Sequence, residues 1–96
     1  QIMTETMRVG QTAGVTIADA FVDDRLKFID TLAPAIRASM AIDLQAQRRL
    51  ELPWLSGAVV RKGAELGVPT PANDFVCKAL KLDTLGANPP VTAARC

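Results

Sequence analysis

The run Gly67-Val68-Pro69-Thr70-Pro71 constrains the fold of this chain more than any other stretch of it. Glycine enters left-handed backbone without steric cost, so Gly67 stops the apolar-periodic segment that precedes it. Pro69 pushes Val68 into extended backbone. Thr70 followed by Pro71 is then a cap-plus-first-turn signal for a new helix running to about Leu82. A stop, a short extended link and a start in five residues describe two helices joined by a tight turn.

The same punctuation divides the rest of the chain. Ile2, Met3, Thr6, Met7, Val9, Gly10 and Ala13 form a stripe at three- and four-residue spacing, interrupted by Glu5 and Arg8 and closed by Gly14. From Ala18 to Leu32, Phe21, Val22, Leu26, Phe28, Ile29 and Leu32 fall on one side and Asp19, Asp23, Asp24, Lys27 and Asp30 on the other, an amphipathic helix that ends before Pro34. Ser39 can cap a short helix from Met40 to about Ala46. Pro53 suits the first turn of the next helix, whose buried face would use Trp54, Leu55, Ala58, Val59 and Leu66. Gly57 and Gly63 inside that helix cost about 1 kcal/mol each against Ala, which calls for the close approach of a neighbouring helix or a ligand. The last helix would bury Phe75, Val76, Ala79 and Leu80, with Cys77 a small core residue beside them. Beyond Asp83 the pattern loses its period among Gly86, Asn88, Pro89 and Pro90. With no alternating strand pattern and no internal repeat, the reading is an all-α domain of about five helices over residues 1–83, followed by an irregular tail over 84–96.

Composition narrows the function classes. The apolar fraction is 49%, with three Phe, one Trp and no Tyr, so the core is aliphatic. Eleven basic and ten acidic residues are interspersed to a net charge of +1, and without a basic block nothing favours nucleic-acid binding by phosphate neutralisation. No apolar run reaches the roughly 18 residues that span a bilayer, and no signal-peptide pattern is present; the expectation is a cytoplasmic protein without a membrane partner. There is no histidine, which removes the commonest general base and metal ligand, and no residue is assigned to a metal. Cys77 and Cys96 lack a CxxC spacing; a reduced pair is the favoured reading, and a disulfide between them stays open. The chain opens at Gln1 directly into helical pattern and reads as a piece of a longer protein.

The polar residues cluster between Ser39 and Glu51. Ser39 is either a helix cap or a group that bonds a ligand. Glu51, beside a helix start, either favours the positive end of that helix or serves an active site. Asp43 is expected to pair with Arg48, with Arg49 or with a backbone N–H. Two adjacent arginines in a loop are either solvated or hold a carboxylate or phosphate.

The order S-M-x-x-D from Ser39 to Asp43, seven residues, Glu51, five residues, Gly57, and then G-V-x-T-P from Gly67 to Pro71 resembles the C-terminal domain of the ketopantoate reductases (2-dehydropantoate 2-reductases). The stretch from Arg48 to Val60 is similar to the family's segment around its active-site glutamate, and Glu5 and Gly14 fit its earlier helix. The resemblance spans about residues 1–82. It implies a helical domain like that of 6-phosphogluconate dehydrogenase, within a two-domain enzyme of pantothenate biosynthesis that reduces ketopantoate to pantoate. A Rossmann domain would bind NADPH, the helical domain would close over the 2-keto acid, and a lysine at the start of the helical domain would protonate the developing alkoxide. Ser39 then corresponds to the family's substrate-contacting serine and Glu51 to its active-site glutamate. The chain departs from the family in three ways. It has no G-x-G-x-x-G phosphate loop, so the Rossmann domain is missing and no cofactor-binding residue is assigned. The lysine motif is missing as well. Leu50 and Pro53 stand where the family has Thr and Asp.

Two other readings accompany this one, a non-catalytic helical association domain burying Met3, Met7, Gly57 and Gly63 against a partner, and the helical domain of a related 2-keto acid reductase. Absence of the cofactor domain should also uncover apolar surface around the first helix and favour a homodimer. Without a phosphate loop, this 96-residue chain alone should neither bind NADPH nor oxidise it in the presence of 2-keto acids. Titration of nicotinamide fluorescence checks the first, and loss of nicotinamide absorbance over time the second.

Overall fold

Five segments are helical close to where the apolar spacing places them. The computed structural model describes residues 1–86 and contains α1 (Ile2–Thr12), α2 (Phe21–Asp30), α3 (Ser39–Gln45), α4 (Ser56–Leu66) and α5 (Pro71–Leu80). Short 3₁₀ turns cover Leu52–Trp54 and Lys81–Asp83, and there is no strand among the described residues. The all-α expectation holds.

α4 is the central helix, packed on both α1 and α5. Its buried residues are Ser56, Gly57 and Gly63, not the Trp54 and Leu55 expected from sequence, both of which are exposed. Small residues admit neighbouring backbone where large ones would hold it off. A Cβ at Gly63 would lie 2.7 Å from Thr70 Cγ2 and 2.8 Å from the Val68 carbonyl oxygen. The returning chain itself therefore requires glycine there, and no ligand is needed to explain it. Gly67 ends α4 in left-handed backbone at φ 72°, and the Val68 N–H donates to the Gly63 carbonyl at 2.8 Å.

The start of α5 is closed from a distance. Thr70 occupies the cap position, but its hydroxyl makes no cap bond. The carboxylate of Glu5, on α1, takes the role instead. Its oxygens accept from the Ala72 N–H at 2.8 Å, the Asn73 N–H at 3.0 Å and the Asn73 side-chain amide at 2.9 Å, and the same amide also donates to the Ile2 carbonyl at 3.3 Å. Glu5 is only 4% exposed. Burial by itself would raise its pKa, but the backbone donors of Asn73 and Ala72 and the Asn73 amide outweigh it and hold the carboxyl below its ordinary value. With Asn73 drawn inward, Cys77 one turn later is buried as well. Phe75 lies roughly 200° around the helix from Asn73 and is 71% exposed, against expectation.

The apolar core centres on Leu50, Leu52 and Cys77, with Met40, Leu44, Val60, Val76 and Leu80 packed around them. Cys77, expected as a reduced thiol, is disulfide-bonded; sequence spacing cannot report which sulfurs the fold brings together, and Cys96 lies outside the described residues. Residues 84–86 are packed against the body. Thr84 is buried, and its carbonyl accepts from the Leu50 N–H at 2.8 Å.

α2 has the expected amphipathic pattern without the expected cover. Only Val22 is buried, while Phe21, Leu26, Phe28, Ile29 and Leu32 are all exposed. Exposed apolar side chains are thus dense on α2, whereas on α1 Ile2 is exposed, Val9 is buried and Met3 and Met7 are partly so. The cause is the flatness of the molecule, 41 × 37 × 18 Å with a radius of gyration of 14.8 Å, against about 13 Å for a compact domain of about 100 residues.

A buried carboxylate with three donors should dominate the acid stability of this fold. Glu5→Ala is expected to lower unfolding free energy by about 3 kcal/mol and Glu5→Gln by about 2 kcal/mol, measured by denaturant titration. Because the folded pKa is depressed, the stabilisation is complete above the unfolded-chain value of about 4.3 and is lost as pH falls through the lower folded value. The stability difference between wild type and Glu5→Gln should therefore be constant above about pH 5 and shrink on further acidification.

Candidate active site

Ser39 and Glu51 lie on one continuous segment that starts with α3 and ends in the first 3₁₀ turn. α3 begins after Ala38, which is extended at φ −66°, ψ 146°. Ser39 is therefore the first helical residue, not the cap, and its hydroxyl makes no cap bond. The side chain is exposed, which leaves its hydroxyl available to a ligand. An Arg37 N–H donates to Gln45 Oε1 at 2.6 Å alongside the helix.

The chain reverses immediately after α3. Gln47 is the one non-glycine residue with positive φ among the described residues, at 56°, and it turns the backbone so that the Arg48 N–H donates to the Asp43 carbonyl at 2.8 Å. Arg48 Nε also meets Asp43 Oδ1 at 2.9 Å, so of the partners expected for Asp43 the structure selects Arg48. The following residues are held on two sides. Leu50 bonds to Thr84 as described above. Gly86, at φ 79°, lies so close that a Cβ there would be 2.7 Å from the Gln47 carbonyl oxygen.

Glu51 sits between the two most firmly anchored side chains of the core. Leu50 is 1% exposed and Leu52 0%, whereas Glu51 itself is exposed. Its carbonyl accepts from the Trp54 N–H at 2.9 Å and the Leu55 N–H at 3.2 Å, and the Pro53 carbonyl of the same turn accepts from Arg61 Nη2 on α4 at 2.7 Å. The backbone at Glu51 is thus immobilised while its carboxylate reaches solvent. Ion pairs among the described residues are Arg48–Asp43, Lys62–Glu65 and Lys78–Asp74, none of them to Glu51. No hydrogen bond joins Glu51 to Ser39. Arg49, two residues before Glu51, lies over the Trp54 ring with its guanidinium carbon 5.6 Å from the centroid.

Chemically, the segment offers an exposed carboxylate, an exposed hydroxyl and a guanidinium. Neither of two concavities in the molecule is lined by Ser39 or Glu51. A shallow apolar one of about 400 Å³ runs along Val60, Ala64, Val68 and Pro69, and a small one of about 80 Å³ lies at Leu44, Gln47, Asp83 and Gly86. Among the described residues no His, Cys, Asp or Glu cluster could hold a metal ion.

The structure places both Ser39 and Glu51 at the surface, and the packing beneath Glu51 is a feature that the sequence reading leaves out. The alternation Leu50-Glu51-Leu52, apolar-polar-apolar, carries the period-2 signal of an extended segment with one face buried. The helical stripe of α4 predicts Trp54 in the core, yet Trp54 closes the 3₁₀ turn that precedes α4 and is exposed.

A family model described as ketopantoate reductase PanE/ApbA C terminal matches residues 1–83. Over 84 residues the chain is 31% identical to a 2-dehydropantoate 2-reductase of Caulobacter vibrioides, covering 88% of this chain and 29% of that protein. Over 81 residues it is 30% identical to a 2-dehydropantoate 2-reductase of Pyrobaculum aerophilum, covering 84% of this chain and again 29% of the relative. The chain thus spans about three tenths of the length of the curated relatives it matches. A family match that runs across all five helices leads to one assignment: this chain belongs to the ketopantoate reductase C-terminal domain family.

Proposed function

We propose that this chain forms the substrate-facing wall of a cytoplasmic NADPH-dependent 2-dehydropantoate 2-reductase, an oxidoreductase acting on ketopantoate in pantothenate biosynthesis. The observation that carries the reading is Glu51, exposed on a backbone pinned by buried Leu50 and Leu52. A carboxylate on a fixed backbone and without a partner of its own is available to a group brought to it.

NADPH supplies a hydride when bound, but the residues present do not fit it. The described residues include no strand, and the sequence has no glycine-rich phosphate loop to follow one. Cofactor binding is assigned to polypeptide outside this chain. What this chain contributes is proton handling and orientation. Reduction of a ketone builds negative charge on oxygen, and groups that deliver or orient a proton there lower the barrier. Glu51 orients the proton-donating lysine, which also lies outside this chain, or a substrate hydroxyl. The Ser39 hydroxyl bonds a polar group of the 2-keto acid. Residues 1–83 serve as the substrate-binding unit.

A second reading, a helical association domain, draws on the exposed apolar face of α2. That face would be covered by a second copy in a homodimer or by the remainder of a longer protein, and it is compatible with the enzymatic reading.

In the intact protein, Glu51→Gln should lower kcat/KM for ketopantoate by about 100-fold or more while leaving the melting temperature nearly unchanged, because the side chain is exposed and unpaired. Steady-state kinetics beside thermal unfolding decide the matter. A variant with wild-type kcat/KM would remove Glu51 from the active site.

A further inference from the structure

We propose that Arg49, backed by Trp54, is the element that recognises the substrate carboxylate and selects the 2-keto acid beside Glu51. The inference rests on the reductase reading above and adds residues to its site.

The two adjacent arginines are in different situations. Arg48 is committed to Asp43 through an ion pair at 2.9 Å. Arg49 has no carboxylate partner among the described residues, and its guanidinium lies over the Trp54 ring. A cation–π contact draws the guanidinium to the aromatic face without using its N–H donors, which stay available to an acceptor. Those donors match a carboxylate in a bidentate geometry, which is the chemistry a 2-keto acid presents next to its reacting carbon.

Trp54 provides the second half of the element. It is the only tryptophan in the chain, and 61% of its surface remains exposed although the turn that carries it is tied down at Leu52 and by the Arg61 bond to Pro53. A large ring fixed in an outward position costs apolar exposure, which is offset if aliphatic carbon of a ligand covers it. Arg25 shows that stacking alone is not diagnostic. It lies 5.6 Å and 5.4 Å from the Phe21 and Phe28 ring centroids on α2, away from any site residue. Arg49 differs in standing two residues from Glu51 on the same pinned segment. Carboxylate clamp and apolar plate thus stand within three residues of Glu51 along the chain, a combination suited to a branched, aliphatic 2-keto acid.

The test uses the intact protein and compares a 2-keto acid with its methyl ester, which lacks the charge. Arg49→Gln should raise KM for the acid about ten- to hundred-fold, leave kcat within about threefold, and reduce the preference for acid over ester. Arg49→Lys should restore part of that preference. Trp54→Ala should lower the kcat/KM ratio of branched 2-keto acid to pyruvate. Arg25→Gln, which removes a stack elsewhere, controls for losses of stability. If the wild type turns over 2-keto acids and Arg49→Gln keeps both KM and the acid-over-ester preference, this inference is overturned and the reductase reading stands. If the wild type reduces no 2-keto acid, both are overturned.

Discussion

The buried carboxylate of Glu5 holds together the part of the fold on which everything else rests. A helix start leaves backbone N–H groups without partners, and the first turn of α5 runs from exposed Pro71 to buried Asn73, where water cannot supply one. A charged acceptor from α1 resolves this and complements the positive end of the helix. One contact thereby sets the distance between α1 and α5, the rotation of α5 and the inward position of Asn73. Had Thr70 capped α5 locally, α1 would have no such specific tie to it.

The rotation of α5 has consequences across the molecule. Turning Asn73 and Cys77 inward places Cys77 against Leu50 and Leu52, and that cluster fixes the backbone of Glu51. The residue proposed for chemistry is therefore supported by packing that leads back to Glu5 through a single helix. The route is short and built from buried groups, so the carboxylate of Glu51 can be free while its backbone is not.

The exposed face of α2 has the opposite character. α1, α4 and α5 pack closely because glycine and serine admit close approach, whereas α2 touches the body mainly through Val22 and the α1 side. Its aromatic and aliphatic residues are patterned for burial and remain at the surface in a molecule only 18 Å thick.

Local chemistry was legible in the sequence wherever it depends on neighbours in the chain. Gly14, Gly67 and Pro71 marked helix ends because backbone sterics act within a few residues, and apolar spacing located all five helices for the same reason. The order from Ser39 through Glu51 to Pro71 also carried the family. Tertiary structure alone decided which face each helix buries. Trp54 and Phe75 lie on apolar stripes yet point outward, since a 3₁₀ turn and a distant carboxylate set the rotation of their segments. It also decided that Glu5 caps α5, a contact spanning most of the chain, and that Leu50 and Leu52 brace Glu51. Periodicity reports that a segment has an apolar side; only packing, which depends on contacts remote in sequence, determines where that side can go.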